Sequence, residues 1–294
     1  MEKRTGWIVS NGFLSAQDKF RQLNQRIINA AEIRGVELKL ITNDNLLVRA
    51  DQYGVIFEMQ TRPDFVLFMD KDIRLAQAME AEGLRLFNSA SAIGICDDKS
   101  LTALMVAGHG IETPQTIIGP QTFDGVGYSN LDFLSRIVKQ LGFPLVVKEC
   151  FGSFGQQVWL MKNAVDLAKL VRETSKQLIF QEFISNSYGR DVRLNVVDGE
   201  VVAAMLRTNE CDFRANITNG ASMKAYHPSK AECDMAIKVC GIVGAEFAGV
   251  DLLFGENGPV FCEANSNSHI ENIYQCTGID VSEKIIDYII KTIS

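Results

Sequence analysis

The sequence predicts an α/β fold that passes into α+β: a small doubly wound sheet first, antiparallel hairpins after it. Three observations carry this. The first 90 residues alternate strand-like and helix-like stretches. Phe65-Val66-Leu67-Phe68-Met69 is a continuous apolar run, as in a parallel strand buried on both faces. From Asp191 onward the pattern becomes alternating, broken by Asp198-Gly199 and by Gly255-Glu256-Asn257-Gly258, which are hairpin turn signals.

The elements follow in order. Trp7-Ile8-Val9 reads as a short buried strand. Phe20 to Ile33 carries Leu23, Ile27, Ile28 and Ala31 at helical spacing, and Gly35 ends it as a C-terminal glycine does. Val36 to Ile41 is the next strand, Ile73 to Ala81 a helix and Leu84 to Phe87 a strand. A polar, glycine-rich connection, Gly119 to Asn130, joins a strand at Thr116 to Ile118 to a helix at Leu131 to Leu141. Pro144 to Lys148, Gln157 to Met161 and Leu178 to Ile184 are strands. Asp191 to Val197 pairs with Glu200 to Arg207, and Phe247 to Phe254 with Pro259 to Ala264. The last helix opens at Asp280-Val281-Ser282-Glu283, which resembles a capping box. Ile285, Ile286, Ile289, Ile290 and Ile293 give it one apolar face.

The chain has 294 residues, enough for two or three lobes. A composition 47% hydrophobic and 22% charged is globular and excludes a disordered chain. The formal net charge of −7 gives no overall attraction to nucleic acid or to anionic membranes, so a polyanionic ligand needs a local basic pocket. The seven cysteines (Cys96, Cys150, Cys211, Cys233, Cys240, Cys262, Cys276) are odd in number and contain no CxxC pair. They read as free thiols in a reducing compartment. His109, His227 and His269 lack zinc-site spacing. The N-terminal apolar run is too short for a signal-peptide core, and no stretch reaches the ~20 apolar residues of a membrane span. The expectation is a soluble, cytoplasmic protein.

Common phosphate motifs fail. Asp97-Asp98-Lys99-Ser100 lacks the preceding glycine of a P-loop, and no GxGxxG follows a strand. No GxSxG elbow is present. A distributed set appears instead. Lys148 ends a strand and Phe151-Gly152-Ser153-Phe154-Gly155 follows, either an ordinary glycine-rich hairpin or a backbone cradle for a phosphate beside a point charge. Gln181-Glu182-Phe183-Ile184 is either a strand with one exposed acid or a hinge whose edge pairs with a purine. Arg207 and Arg214 follow strands, where a planar fork suits carboxylate or phosphate oxygens. Arg193, beside Asp191, reads equally as a structural ion pair or a ligand. The sharpest cluster pairs Gly249-Val250-Asp251 with Glu263-Ala264-Asn265 across a hairpin. Asp251, Glu263 and Asn265 offer the hard oxygens that Mg²⁺ prefers.

In this order Gln181-Glu182-Phe183-Ile184, Asp191-Val192-Arg193, Asp212-Phe213-Arg214-Ala215-Asn216, Gly249-Val250-Asp251, Glu263-Ala264-Asn265-Ser266 and Thr277-Gly278-Ile279-Asp280 resemble the RimK-like branch of the ATP-grasp family, from about Ser89 to the C-terminus. The resemblance implies a pre-ATP-grasp α/β domain over residues 1–90, a central lobe over 91–185 and a C-terminal lobe over 186–294, with ATP between the two α+β lobes. It implies that Lys99 and Lys148 contact phosphates under a mobile cover, Gly152-Ser153-Phe154-Gly155. Gln181, Glu182, Phe183 and Ile184 would frame the adenine, Asp191 would meet the ribose with Arg193 nearby, and Arg214 and Asn216 would reach the γ-phosphate and the transferring group. Asp251, Glu263 and Asn265 would hold one or two Mg²⁺, with Mn²⁺ as a substitute, and Arg207 would take the acceptor's carboxylate.

The implied activity is ATP-dependent, ADP-forming carboxylate–amine ligation through an acyl phosphate, with an amino acid such as glutamate as one substrate. The partner would be an amino acid, a peptide or a protein tail, in a homo-oligomer (dimer or tetramer) that binds no nucleic acid and no membrane. Two departures fall where the amine should sit. Ser266-Asn267-Ser268-His269-Ile270-Glu271-Asn272 replaces a Ser-Pro-Gly-like turn, and Thr208 stands where a second arginine often follows Arg207. The alternatives are a non-catalytic ATP-binding protein and an ATP-grasp phosphotransferase.

Overall fold

The computed structural model describes residues 4–14, 16–57, 59, 61–153 and 155–294. The first unit comprises β1 (Thr5–Ser10), α1 (Asp18–Ile33), β2 (Glu37–Thr42), the hairpin β3 (Val48–Asp51) and β4 (Gly54–Phe57), then β5 (Phe65–Phe68), α2 (Ile73–Ala81) and β6 (Leu86–Phe87). Strands β2, β1, β5 and β6 lie side by side in that order, all parallel. Their side chains divide by parity. Ile8, Phe65 and Leu67 pack with Leu23 and Ile27 of α1, whereas Trp7, Val9, Val66 and Phe68 pack with Leu75, Ala76 and Met79 of α2. Helices therefore cover both faces, and β5 has no polar position to offer. The β3–β4 hairpin was not expected. Its positions are largely exposed, so no apolar alternation marks it.

Helices α3 (Ala90–Asp97) and α4 (Lys99–Val106) lead to the second unit: β7 (Thr116–Ile118), α5 (Asp132–Leu141), β8 (Leu145–Glu149), β9 (Val158–Met161), α6 (Ala164–Arg172) and β10 (Leu178–Glu182). Its antiparallel sheet runs β7-β10-β8-β9 over its own core of Leu134, Ile137, Leu145, Val147, Leu167 and Phe180.

The third unit holds β11 (Arg190–Val197), β12 (Glu200–Thr208), β13 (Ser222–Ala225), α7 (Lys230–Val243), β14 (Phe247–Phe254), β15 (Pro259–Asn265), α8 (Ile270–Thr277) and α9 (Val281–Thr292). The sheet order is β13-β12-β11-β14-β15, antiparallel throughout. Asp198 (φ 52°) and Gly199 (φ 72°) take the left-handed pair that a tight two-residue hairpin turn requires. Val192, Leu194 and Val250 face α7, where Ala236, Val239 and Val243 meet them. By the two-residue period of a strand, Asp191, Arg193, Asn195 and Asp251 then face the other way.

The last two helices return to the first unit. Ile273, Ile285, Ile286 and Ile289 share one core with Leu23, Ile27 and Phe87. Arg26 bonds Glu271 (2.8 Å) and Asp280 (3.0 Å). The expected capping box on α9 is not closed. Asp280 caps Ser282 N, but Glu283 lies 3.1 Å from Arg34 instead of reaching back. A buried amide fastens the same junction. Asn88 donates to the carbonyls of Phe247 (2.9 Å) and Ser266 (3.3 Å) and accepts from Glu246 N (2.7 Å).

Candidate active site

A cavity of about 600 Å³ lies where the three units meet. It reaches from Gln181 at the end of β10, past Lys148 and Glu263, to Asp70 beyond the carboxyl end of β5.

At the β10 end, Gln181 is held by Thr116 Oγ1 (2.9 Å). Glu182 donates its backbone N–H to Gln115 O (2.9 Å) and accepts Gln115 N–H at its carboxylate (3.2 Å), so that N–H is already engaged within the protein. Phe183 and Ile184 line the cavity and Phe183 meets Phe213 edge-on.

The basic section follows. Lys99, at the start of α4, donates to Gly152 O (3.0 Å). Burial, with Lys148 and Lys71 adding to it, lowers its pKa against the pull of Glu263. Lys148 is buried on β8 with its Nζ 3.7 Å from Cys262 Sγ. Arg214 grips Asp212 (2.7 Å) and donates to Gly155 O (2.7 Å), which pins the glycine-rich hairpin. Gly155 has φ 71°, and a Cβ there would collide with Asn216 Oδ1. Ser153 Oγ meets Lys71 Nζ (3.1 Å). Phe154 lies outside the described residues. Beneath the hairpin, Gln157 Oε1 and Asn219 Nδ2 are buried without hydrogen-bond partners among the described residues.

The third section is a row of charges across the C-terminal sheet. Register sets Asp191 opposite Arg207, Arg193 opposite Asp251, and Asp251 opposite Glu263. Arg207 donates twice to Asp191 (2.6 and 2.6 Å) and once to Asp251 (2.8 Å). Arg193 donates twice to Asp251 (2.7 and 2.7 Å) and stands 3.9 Å from Glu263. Burial pushes the Asp251 carboxyl up, but the two guanidiniums outweigh it and hold it far below the usual carboxylate range. Asp191 goes the other way: burial and the neighbouring Asp251 charge raise it despite Arg207.

This row differs from the expected roles. Arg193 pairs with Asp251 and not with its sequence neighbour Asp191, because cross-strand partners face each other across the ladder. Arg207, only 3% exposed, is tied through Nε and Nη2 to two carboxylates. Asp191 is likewise bound up with Arg207. Of the three side chains named for a metal, Asp251, Glu263 and Asn265, all line the cavity, but unequally. Glu263 is half-buried, accepts from Asn265 Nδ2 (3.3 Å) and has Arg193 at 3.9 Å, whereas Asp251 carries three guanidinium hydrogen bonds. Glu263 and Asn265 fit a hard cation; Asp251 supplies negative charge behind them. No group of three His, Cys, Asp or Glu side chains with metal-site geometry occurs among the described residues.

On the far wall, the share contributed by the first unit was not anticipated. It is made by Ser10, Asn11, Asn24 and Asp70 of the first unit, facing Asn267 and His269. One signal was available: Asp70 follows the apolar run of β5, and the carboxyl ends of parallel strands are where open α/β sheets bind ligands.

With this geometry in place, the comparisons assign the class. The chain belongs to the RimK-like ATP-grasp family, whose domain model matches residues 96–289. It is 33% identical over 269 residues to a Mycoplasma pneumoniae protein, the MG012 homolog, covering 90% of this chain and 92% of that one. It is 33% identical over 226 residues to beta-citrylglutamate synthase B of Danio rerio (75% of this chain, 54% of the relative), and 29% identical over 294 residues to a probable alpha-L-glutamate ligase of Parasynechococcus marenigrum (94% and 61%). The chain thus spans little more than half the length of these last two. Among solved structures, the ATP-grasp ligase PsnB complexed with minimal precursor, Mg and ADP matches with a TM-score of 0.71 at 17% identity, covering 100% of this chain and 98% of that one. The ATP-grasp fold is therefore that of this chain. No helix among the described residues is long and apolar enough to cross a membrane.

Proposed function

We propose that this chain is an ATP-dependent carboxylate–amine ligase that forms an amide through an acyl phosphate, releases ADP, and takes an amino acid such as glutamate as one substrate. The observation that carries the proposal is the continuity of the cavity. One space joins a basic section (Lys99, Lys148, Arg214) to free oxygen ligands (Glu263, Asn265) and runs on to a separate polar wall. A nucleotide fills the first two parts and leaves room for a second molecule beside its last phosphate. The PsnB complex with Mg and ADP and the relatives named as glutamate ligase and citrylglutamate synthase support the same reading.

In this reading Lys99 and Lys148 bind phosphate oxygens, and Lys99 trades its bond to Gly152 O for one to the nucleotide. Gly152 and Gly155 allow the hairpin backbone to approach the phosphates, and the unpartnered Gln157 and Asn219 amides beneath it acquire partners when it closes. Glu263 and Asn265 would hold one or two Mg²⁺, which supply charge neutralisation to the triphosphate. The Asp191–Arg207–Asp251–Arg193 row positions this end and keeps its net charge low. Arg214 lies on the bond-making side, where a guanidinium stabilises charge as the substrate carboxylate displaces ADP from the γ-phosphorus. The amine then displaces phosphate, and a closed hairpin keeps water from the acyl phosphate.

Trapping tests this. With Mg-ATP, hydroxylamine and a panel of amino acids, an activated carboxylate yields a hydroxamate detectable by mass spectrometry. Amino-acid-dependent hydroxamate is the expected result. Phosphorylated hydroxyl product without hydroxamate would replace the ligase with a phosphotransferase, and ATP binding without either product would leave a non-catalytic nucleotide-binding protein.

A further inference from the structure

We propose that the far wall of the cavity is an ammonium-binding subsite centred on Asp70, so that the acid this chain activates carries a free protonated amine, as an amino acid does and a polycarboxylate such as citrate does not. The ammonium subsite stands on the structure itself; its assignment to the activated acid rests on the ligase reading.

Asp70 follows β5 at the carboxyl edge of the parallel sheet and is only 8% exposed. Its carboxylate accepts from Asn11 Nδ2 (3.3 and 3.3 Å) and from Lys71 N (2.8 Å). Both donors are neutral. Among the described residues no cation lies within salt-bridge distance of it. The nearest in sequence, Lys71, turns its Nζ to Asp97 and to Ser153 Oγ (3.1 Å). A carboxylate this deep is costly without an opposite charge, and burial raises its pKa accordingly. The missing partner is a cation that enters with the ligand.

A second observation points to a ligand in the same place. Both ring nitrogens of His269 are buried and have no hydrogen-bond partner among the described residues. The ring packs edge-on against Phe20 at 6.1 Å, His269 lines the cavity, and burial lowers its pKa, which favours the neutral ring with one donor and one acceptor nitrogen. Asn267 Nδ2 donates to Asp70 O (2.6 Å) and fastens the wall to the chain two residues beyond Asn265. The subsite therefore adjoins the metal and phosphate end. An ammonium held by a carboxylate stays protonated and has no lone pair for attack. The molecule bound at Asp70 thus contributes its carboxylate to the chemistry, and the attacking amine comes from the other substrate.

The test uses two panels, free L-amino acids and the same acids N-acetylated, together with citrate. Binding to the full chain saturated with Mg-AMPPNP is read by calorimetry, and hydroxamate formation is read separately with Mg-ATP. Free amino acids should bind and the N-acetyl forms and citrate should not. Asp70→Asn, which keeps shape, should weaken that binding roughly ten- to a hundredfold while Mg-AMPPNP affinity holds and the melting temperature does not fall, and Asp70→Glu should restore part of it. Equal binding of N-acetylated acids or citrate, no binding from any panel, or an unchanged preference in Asp70→Asn would overturn the subsite. Ammonium-dependent binding without hydroxamate would instead remove the ligase reading and leave the subsite standing.

Discussion

Replacing Arg207 with methionine separates a structural role from a substrate-binding one. Arg207 is buried and bonds Asp191 twice and Asp251 once. Asp251 keeps both bonds from Arg193 when Arg207 is gone, so the loss falls on Asp191, which is left buried with no guanidinium hydrogen bond and only the weaker pull of Arg193. Removing one partner of a buried pair costs about 3–5 kcal/mol, and that deficit is expected by urea denaturation near neutral pH. The pH dependence follows from Asp191. Burial and Asp251 already raise its pKa, and the substitution removes the group that opposes them. Between that raised value and the usual carboxylate range the folded state binds a proton that the unfolded state does not, so the variant loses stability as pH rises through the window. The deficit should be full near neutrality and narrow on acidification. Arg207→Met with Asp191→Leu should recover most of the loss, since an apolar pair of similar volume replaces the ion pair at little cost. A single-variant deficit below about 1 kcal/mol, or a double variant no better than the single, would refute a structural ion pair. An intact fold with a raised Michaelis constant for the acceptor alone would return Arg207 to the substrate site.

Other expectations are independent of that one. Glu263→Gln removes the free carboxylate of the oxygen cluster and should abolish hydroxamate formation while leaving the melting temperature unchanged; near-normal turnover would sink its assignment as a metal ligand. Gly155→Ala places a Cβ against Asn216 in a left-handed backbone, so a loss of about 1–3 kcal/mol is expected from the hairpin region together with slower turnover, read by hydrogen exchange and phosphate release. Asn88→Ala leaves the Glu246 N–H and the Phe247 and Ser266 carbonyls without that amide, and denaturation should show a deficit of about 1–3 kcal/mol with no change in ATP affinity beyond the fold effect.

Much of the fold was legible because period and punctuation survive translation into sequence. The apolar run Phe65 to Met69 gave a doubly covered strand, Ile73 to Ala81 matched α2 end to end, and Asp198-Gly199 marked its turn. The β3–β4 hairpin was illegible since exposed strands carry no buried face. Helix α7 went unread although Ser229 and Glu232 form a closed capping box ahead of it. In the site, residue types were readable but partnerships were not. Asp191, Arg193, Arg207 and Asp251 were each visible as charges; which one faces which depends on strand register, fixed by pairing between segments far apart in the chain. Asp70 escaped notice for the opposite reason: one acid after an apolar strand looks ordinary until the far side of the cavity is built by residues two hundred positions away.

The return of the last helices to the first sheet has a consequence for how the chain is made. The stripe of α1 that carries Leu23 and Ile27 completes its core only with Ile273, Ile285 and Ile289. On a ribosome this stripe can meet its own sheet early, but the share of its core that α8 and α9 supply is missing while some 250 further residues are synthesised. The second unit, whose core is drawn from residues 134–180, has no such wait. Synthesis should thus produce a folded middle between unfinished ends, and a nascent chain stalled before residue 270 is the species a holding chaperone would meet.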